Sequence, residues 1–295
     1  MKTILIATDF TPAARNAAIY GLHFAKAIHA RVILYNAYHV SSSANGLNVT
    51  VSRYDIQKQM EKKLEDEAES IRYVNLPQVK IICEEGDAEN SILKIAEEKN
   101  ADFIIVGMKK CLPGFRKIFG STVTQLAKNP AFPLMIIPEH AKFSIPGKIL
   151  YATDLDDVNN LQPVSHLQFV SQLFTSSIAI VKVLHENEVD KFESGEISPE
   201  LRDTLKVIDA NVQYPVDDDI RHALHELIIK ANFNMLVMVP HQHSWIERLF
   251  TKSMIKEMIF HTAIPLLILP EFFPNLPLLE EKDVQDGLHI YPVLY

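Results

Sequence analysis

Ile4-Leu5-Ile6-Ala7-Thr8-Asp9 and Ile149-Leu150-Tyr151-Ala152-Thr153-Asp154 are two copies of one hexapeptide that differ only at the third position. A longer pair follows: Phe132-Pro133-Leu134-Met135-Ile136-Ile137-Pro138-Glu139 is echoed by Ile264-Pro265-Leu266-Leu267-Ile268-Leu269-Pro270-Glu271. The first pair is offset by 145 residues and the second by 132, so the second copy is shorter by about a dozen. Self-similarity on this scale predicts two related domains in tandem. A length of 295 residues agrees, at roughly 150 residues per domain. The expected division is 1–140, a linker at 139–147, a second domain over 148–271, and a C-terminal tail over 272–295.

Each copy alternates short apolar runs with amphipathic stretches, the pattern of βαβ units on a parallel sheet. The expected strands are 3–8, 31–37, 78–84, 102–107 and 133–137, then 148–153, 178–184, 207–213, 234–239 and 265–269. They are rich in Ile, Val and Leu without clean alternation, as strands buried on both faces are. Thr11-Pro12 reads as an N-cap with proline at the first helical position, opening a helix to about Ala30. Ile56, Met60, Leu64, Ala68 and Ile71 form one stripe on a second helix. Ile92, Ile95 and Ala96 mark a third, and Ser121 to Lys128 a fourth. The fold class is α/β: two doubly wound domains, each with a five-stranded, mainly parallel sheet. Most of the shortening of copy two falls in the polar stretch 186–200.

Composition excludes more than it selects. A net charge of −8 argues against nonspecific binding to nucleic acid or anionic membranes. Cys83 and Cys111 cannot build a disulfide framework, and no C-x-x-C pair occurs. The N-terminal apolar run stops at Asp9 and lacks the form of a signal peptide, and no run of eighteen apolar residues exists; a cytoplasmic location is expected. Glycine is scarce: nine of 295 residues is about 3%, against a usual 7%. The scarcity implies that most of the chain manages without positive φ, and seven of the nine glycines lie at or before Gly147.

In an open parallel sheet a ligand sits outside the strand C-termini, where the strand order reverses. Asp9 follows the first expected strand, and Gly107 ends the fourth. From Gly107 the chain runs through Lys109, Lys110, Cys111, Arg116 and Lys117 to Gly120-Ser121-Thr122 and a helix. Glycine and hydroxyls at a helix N-terminus favour an anion, and four basic residues in an acidic protein strengthen that reading. Taken alone, the loop also reads as a turn at Gly107 followed by a plain helix cap.

The same residues resemble the universal stress protein family, whose nucleotide loop runs Gly, two residues, Gly, nine residues, Gly, then Ser or Thr. Gly107, Gly120 and Ser121 match, and Lys110 replaces the second glycine. Asp9, Gly86-Asp87, the stretch Ala101 to Gly107, and Phe132 to Ile137 extend the resemblance over nearly all of 1–140, and more weakly over 148–271. It implies an adenine nucleotide alpha hydrolase-like fold, dimer-like pairing through the last strands, and ATP binding where the loop is intact. Carried over by position, Asp9 and the backbone near Ala37 hold adenine, while Gly107, Gly120, Ser121 and Thr122 hold ribose and phosphates. Lys110 either blocks the approach of phosphate or binds it as a point charge.

Copy two departs from this. Val239 stands at the Gly107 position, Thr251-Lys252 at the Gly120-Ser121 position, and no loop glycine remains, so no nucleotide is expected there. His222-x-x-His225 and His241-x-His243 fit no zinc signature, so no metal is expected. A pH-responsive histidine cluster and an oxidant-sensing Cys111 are weaker alternatives. Trp245 reads as a packed anchor. No P-loop, Gly-x-Gly-x-x-Gly, Gly-x-Ser-x-Gly or His-Glu-x-x-His motif occurs, and Thr8-Asp9-Phe10-Thr11-Pro12 is not the Ser-Gly-Gly-x-Asp-Ser loop of adenylating enzymes, so an enzyme is not expected. The expectation is a stress-response regulatory protein with an adenine nucleotide in copy one and the 38–51 loop closing over it. The alternative is a nucleotide-free scaffold acting on an unknown protein partner. Self-association into a homodimer is expected because apolar last strands leave open edges.

Overall fold

The computed structural model describes residues 1–40, 52–72, 76–109, 121–153, 176–191, 210–240 and 264–271, together with 166, 169–171, 173, 174 and 205. All ten expected strands form, each within three residues of its expected bounds: β1 Thr3–Ala7, β2 Arg31–Tyr38, β3 Val79–Glu85, β4 Phe103–Met108, β5 Leu134–Pro138, β6 Lys148–Ala152, β7 Ser177–Val181, β8 Ala210–Gln213, β9 Met235–Met238 and β10 Leu266–Ile268. The helices are α1 Pro12–Ala27, α2 Arg53–Ser70, α3 Ala88–Glu98, α4 Ser121–Lys128 and α5 Ile220–Ala231.

Side chains start these helices. Thr11 Oγ1 accepts from the Ala14 N–H at 3.3 Å, Ser52 Oγ from Tyr54 N–H at 3.2 Å, and Asp87 Oδ1 from Asn90 N–H at 3.1 Å. Their ends use positive φ sparingly and without glycine. His29 (φ 52°), Asn100 (φ 49°) and Asn232 (φ 55°) take the left-handed conformation just beyond α1, α3 and α5. Each is followed by a backbone bond back across the turn: Ala30 N–H to Ala25 O, Ala101 N–H to Ala96 O, and Phe233 N–H to Ile228 O. The chain therefore uses positive φ without glycine. This turn also ends α1 at Ala27 rather than near Ala30.

The strands form one sheet in the order β3-β2-β1-β4-β5-β10-β9-β6-β7-β8, not two separate five-stranded sheets. Pairing is parallel within each half, and the halves join where β5 and β10 run antiparallel. There Leu134 faces Ile268, Met135 faces Leu267, and Ile136 faces Leu266. Met135 and Leu267 hold the same place in the two repeats, so the pseudo-two-fold axis passes between them. The pairing of last strands implied by the family resemblance is thus made within one chain. The edges left open are β3 and β8.

Helices cover both faces, which explains the uninterrupted apolar strands. Ile4, Ile6, Val32, Leu34, Phe103 and Ile105 pack with Ala17, Ala18, Phe24 and Leu64 of α1 and α2. Leu5, Ile33, Tyr35, Ile104 and Val106 pack with Ile92, Ile95, Leu126 and Ala127 of α3 and α4. Leu150, Ala152, Ala223, Leu224 and Ile228 continue that second face around α5. The halves also meet through aromatic rings: Phe24 lies 5.3 Å from Phe103 and 5.8 Å from Phe174, and Phe103 lies 5.8 Å from Phe169. The linker docks on α1, where Phe143 contacts Tyr20 at 5.1 Å. Asn16 Nδ2 donates to the carbonyls of Pro138 (3.0 Å) and Ala141 (2.9 Å). In the second half His166 Nε2 lies 2.8 Å from the Pro270 carbonyl, at the repeat-equivalent place. Among the described residues no helix is long and apolar enough to cross a membrane. The tail 272–295 lies outside them.

Candidate functional site

The order β2-β1-β4 puts the reversal of strand order beside β1, and a cavity of about 320 Å³ opens there at the strand C-termini. Its walls are Ala7, Tyr35, Val106 and Met108 from the strands and Ala88 and Ile92 from α3. Asp9, Thr11, Lys109 and Thr122 stand among its polar lining. A larger groove of about 830 Å³ lies between α2 and β3, lined by Leu22, Ala68, Arg72, Pro77 and Val79. It sits toward the N-terminal end of β3, away from the strand ends where ligands of such sheets bind.

The β1–α1 turn fixes Asp9. Thr8 N–H donates to the Tyr35 carbonyl at 2.9 Å, and the buried Asn36 donates through Nδ2 to the Thr8 carbonyl at 2.8 Å. Thr8 Oγ1 then accepts from Phe10 N–H at 3.0 Å. Asp9 Oδ1 accepts from Thr11 N–H at 3.0 Å and from Thr11 Oγ1 at 2.6 Å. Between them Phe10 has φ 65°, a left-handed backbone costing a bulky L-residue roughly 1–2 kcal/mol. The Lys63 ammonium lies 4.1 Å from the centre of its ring.

Ala37 contributes backbone. Tyr35 O faces β1, where Thr8 N–H meets it, and Tyr38 O faces β3, where Gly86 N–H meets it. In a parallel strand the peptide groups alternate sides, so the Ala37 N–H and C=O face the β1 side. The β1–β2 ladder has already ended at Ala7 and Tyr35, which leaves this donor and acceptor at the cavity. The Tyr35 ring forms part of the floor; burial raises its hydroxyl above the ordinary pKa, and the Ser91 hydroxyl partly offsets that.

Gly107 has a steric role that its spacing did not reveal. A Cβ there would come within 2.6 Å of Ala14 N and closer still to the Ala13 carbonyl. Glycine lets the first turn of α1 lie directly on β4, which brings Ala13 and Ala14 into the cavity wall.

Of the seven expected site residues, the cavity brings together Asp9, Ala37, Gly107 and Thr122. Ser121 begins α4, while Lys110 and Gly120 lie outside the described residues, as do Cys111, Arg116, Lys117 and positions 41–51 of the 38–51 loop. Sequence reasoning missed Tyr35, Val106 and Met108. The alternation of Ile33, Tyr35 and Ala37 along β2 is the signal that could have found the first.

In the second half Val239, 1% exposed, stands where Gly107 does and carries the side chain that Gly107 lacks. Asp154, His241, His243, Trp245, Thr251 and Lys252 lie outside the described residues. His222 Nδ1 lies 2.7 Å from Asp217 Oδ2; the pair raises the histidine pKa and lowers that of the carboxyl. Asp219 falls to about 2, chiefly through its hydrogen bonds with Arg221. Among the described residues no three His, Cys, Asp or Glu side chains converge on a point that could hold a metal. Burial pushes the Cys83 thiol up to about 11.

Fold and cavity define a tandem, doubly wound α/β protein whose two repeats share one sheet. Residues 1–138 match the model of the universal stress protein family. No curated protein matches the chain. Among solved structures, the chain is similar to a universal stress protein from Archaeoglobus fulgidus, with a TM-score of 0.69 and 16% identity, over 92% of this chain and 98% of that one. A functionally unknown protein from Pseudomonas aeruginosa gives a TM-score of 0.52 at 11% identity, over 92% of both chains. A putative universal stress protein from the same species gives 0.51 at 11%, over 92% of this chain and 93% of that one. At these identities the likeness is one of fold, and it extends over both repeats.

Proposed function

We propose that the first domain (1–140) binds an adenine nucleotide of the ATP type in the strand-end cavity, and that the second (148–271) binds none. The observation that carries this reading is the Ala37 N–H and C=O pair facing a slot walled by Ala7, Tyr35, Val106 and Met108. One donor and one acceptor above an apolar slot match the edge and the faces of a purine. Asp9 stands beside that edge. Lys109 and Thr122, with Lys110, Gly120 and Ser121 of the adjoining loop, supply the groups for ribose and phosphates. Val239 in place of Gly107 supports an unliganded second half.

The protein then acts as a cytoplasmic stress-response regulator rather than an enzyme; with β5 and β10 paired within one chain, a homodimer would have to form through other surfaces. The nucleotide-free scaffold is the second reading, favoured by the continuous ten-stranded sheet, which needs no ligand to join its halves. Calorimetric titration of the full chain with ATP, ADP, AMP and adenosine separates the two. Saturable binding of an adenine nucleotide is expected, and no heat at millimolar ATP overturns the proposal.

A further inference from the structure

Phe10 combines three features that core packing alone does not require. It is a bulky aromatic in the left-handed region, it sits between Asp9 and Thr11 at the cavity mouth, and an ammonium group from another helix covers its ring. Hydrogen bonds within the turn tie the Phe10 N–H to Thr8 Oγ1 and the Thr11 N–H to Asp9 Oδ1, and the Phe10 ring packs against the core. Lys63 over that ring adds a restraint from a separate helix. Lys63 belongs to α2, and a second link ties α2 to the start of α1: the Arg15–Glu67 ion pair at 3.4 Å. Lys63 is itself exposed, so its charge is not there to fill the core.

We propose that Phe10 and Lys63 are positioning residues for the adenine site: the cation–π contact holds the strained turn, and the turn presents the Asp9 carboxylate to the ligand in one orientation. The inference rests on the nucleotide reading of the cavity given above. Strain that persists beside a site, held by contacts from a separate element, is a form of preorganisation. Its loss leaves the pocket walls intact and makes the ligand bear the cost of ordering the turn.

The test uses the full chain with two probes, ATP and uncharged adenosine, so that positioning is separated from simple attraction of phosphate. Lys63→Gln is expected to weaken both by about threefold or more, in line with the strength of an exposed cation–π contact. Lys63→Arg, which keeps a cation over the ring, is expected to restore binding. Melting temperatures of the unliganded variants should fall by no more than the few degrees that loss of one exposed cation–π contact accounts for. Phe10→Leu should reproduce the loss, and the double variant should bind no worse than either single one. A Lys63→Gln protein that binds adenosine normally, or additive losses in the double variant, overturns the inference. If the wild type binds neither probe, the nucleotide reading has failed, and hydrogen exchange at the Thr11 amide decides the rest. Faster exchange in Lys63→Gln supports a turn held by the ring, and unchanged exchange overturns it.

Discussion

Gly107 of β4 lies so close to the Ala13 carbonyl at the start of α1 that no side-chain carbon fits between them. This contact joins the sheet to the helix at the cavity floor.

Gly107→Ala is therefore expected to destabilise the chain by about 1–3 kcal/mol, because the obstructing atoms are backbone and cannot rotate away. Chemical denaturation measures the change. A stability equal to the wild type would show that α1 shifts freely on β4.

Asn16 holds two carbonyls at the end of β5 with one amide group. Asn16→Ala removes the side-chain donor from both, leaving the Pro138 carbonyl with only the Ala141 N–H, at an expected cost of about 1–3 kcal/mol. The loss should appear as a lower denaturation midpoint, with faster hydrogen exchange in residues 138–143. Exchange unchanged there would detach the linker from α1.

Asp9→Ala removes the carboxylate and frees the Thr11 N–H. Binding of ATP is expected to weaken by about tenfold or more. Gly120→Val should abolish binding while Thr251→Ala leaves it unchanged. Calorimetry giving the reverse pattern for the last two would exchange the roles of the halves.

The His222–Asp217 pair makes stability depend on pH in a definite direction. Asp217 raises the folded pKa of His222, so the histidine's contribution is fully present below its unfolded pKa of about 6.5 and is lost as pH rises through the folded value. The Asp217 pKa is lowered, so its contribution is present above about pH 3.9 and is lost as pH falls through the folded value. The melting temperature of His222→Gln should fall below that of the wild type between about pH 4 and 6.5, with the gap closing at higher pH. A gap constant from pH 4.5 to about 8.5 would remove the pair from the account.

Cys83 donates to Asn36 Oδ1 at 3.7 Å, and its pKa of about 11 keeps it protonated at neutral pH. Alkylation at pH 8 should modify it about a hundredfold more slowly than a thiol of pKa 9, as read by mass spectrometry of the peptide. Rapid modification would show that burial does not raise this thiol above its ordinary value.

Short apolar runs and the internal repeat reached all ten strands, because strands buried on both faces must be apolar throughout and the repeat states them twice. Thr11 was readable as a cap because a side-chain oxygen before a helix has a local task. Asp9 and Gly107 could be placed together because strand C-termini converge wherever strand order reverses, Thr122 because it opens a helix, and Ala37 only through the resemblance to the universal stress protein family; all four line the cavity. The walls at Tyr35, Val106 and Met108 were hidden because apolar residues at a site look like apolar residues in a core.

The sequence by itself determined the fold class, the repeat, and the strand ends at which a ligand is to be sought. These depend on spacing and burial, which one chain carries locally. Only the tertiary structure decided that β5 and β10 pair with each other, that Phe10 is held at positive φ beneath Lys63, and that Gly107 exists for Ala13 as much as for a ligand. Each of these is a contact between segments far apart in the chain. Such contacts are set by which surfaces remain to be covered once the helices and strands have formed.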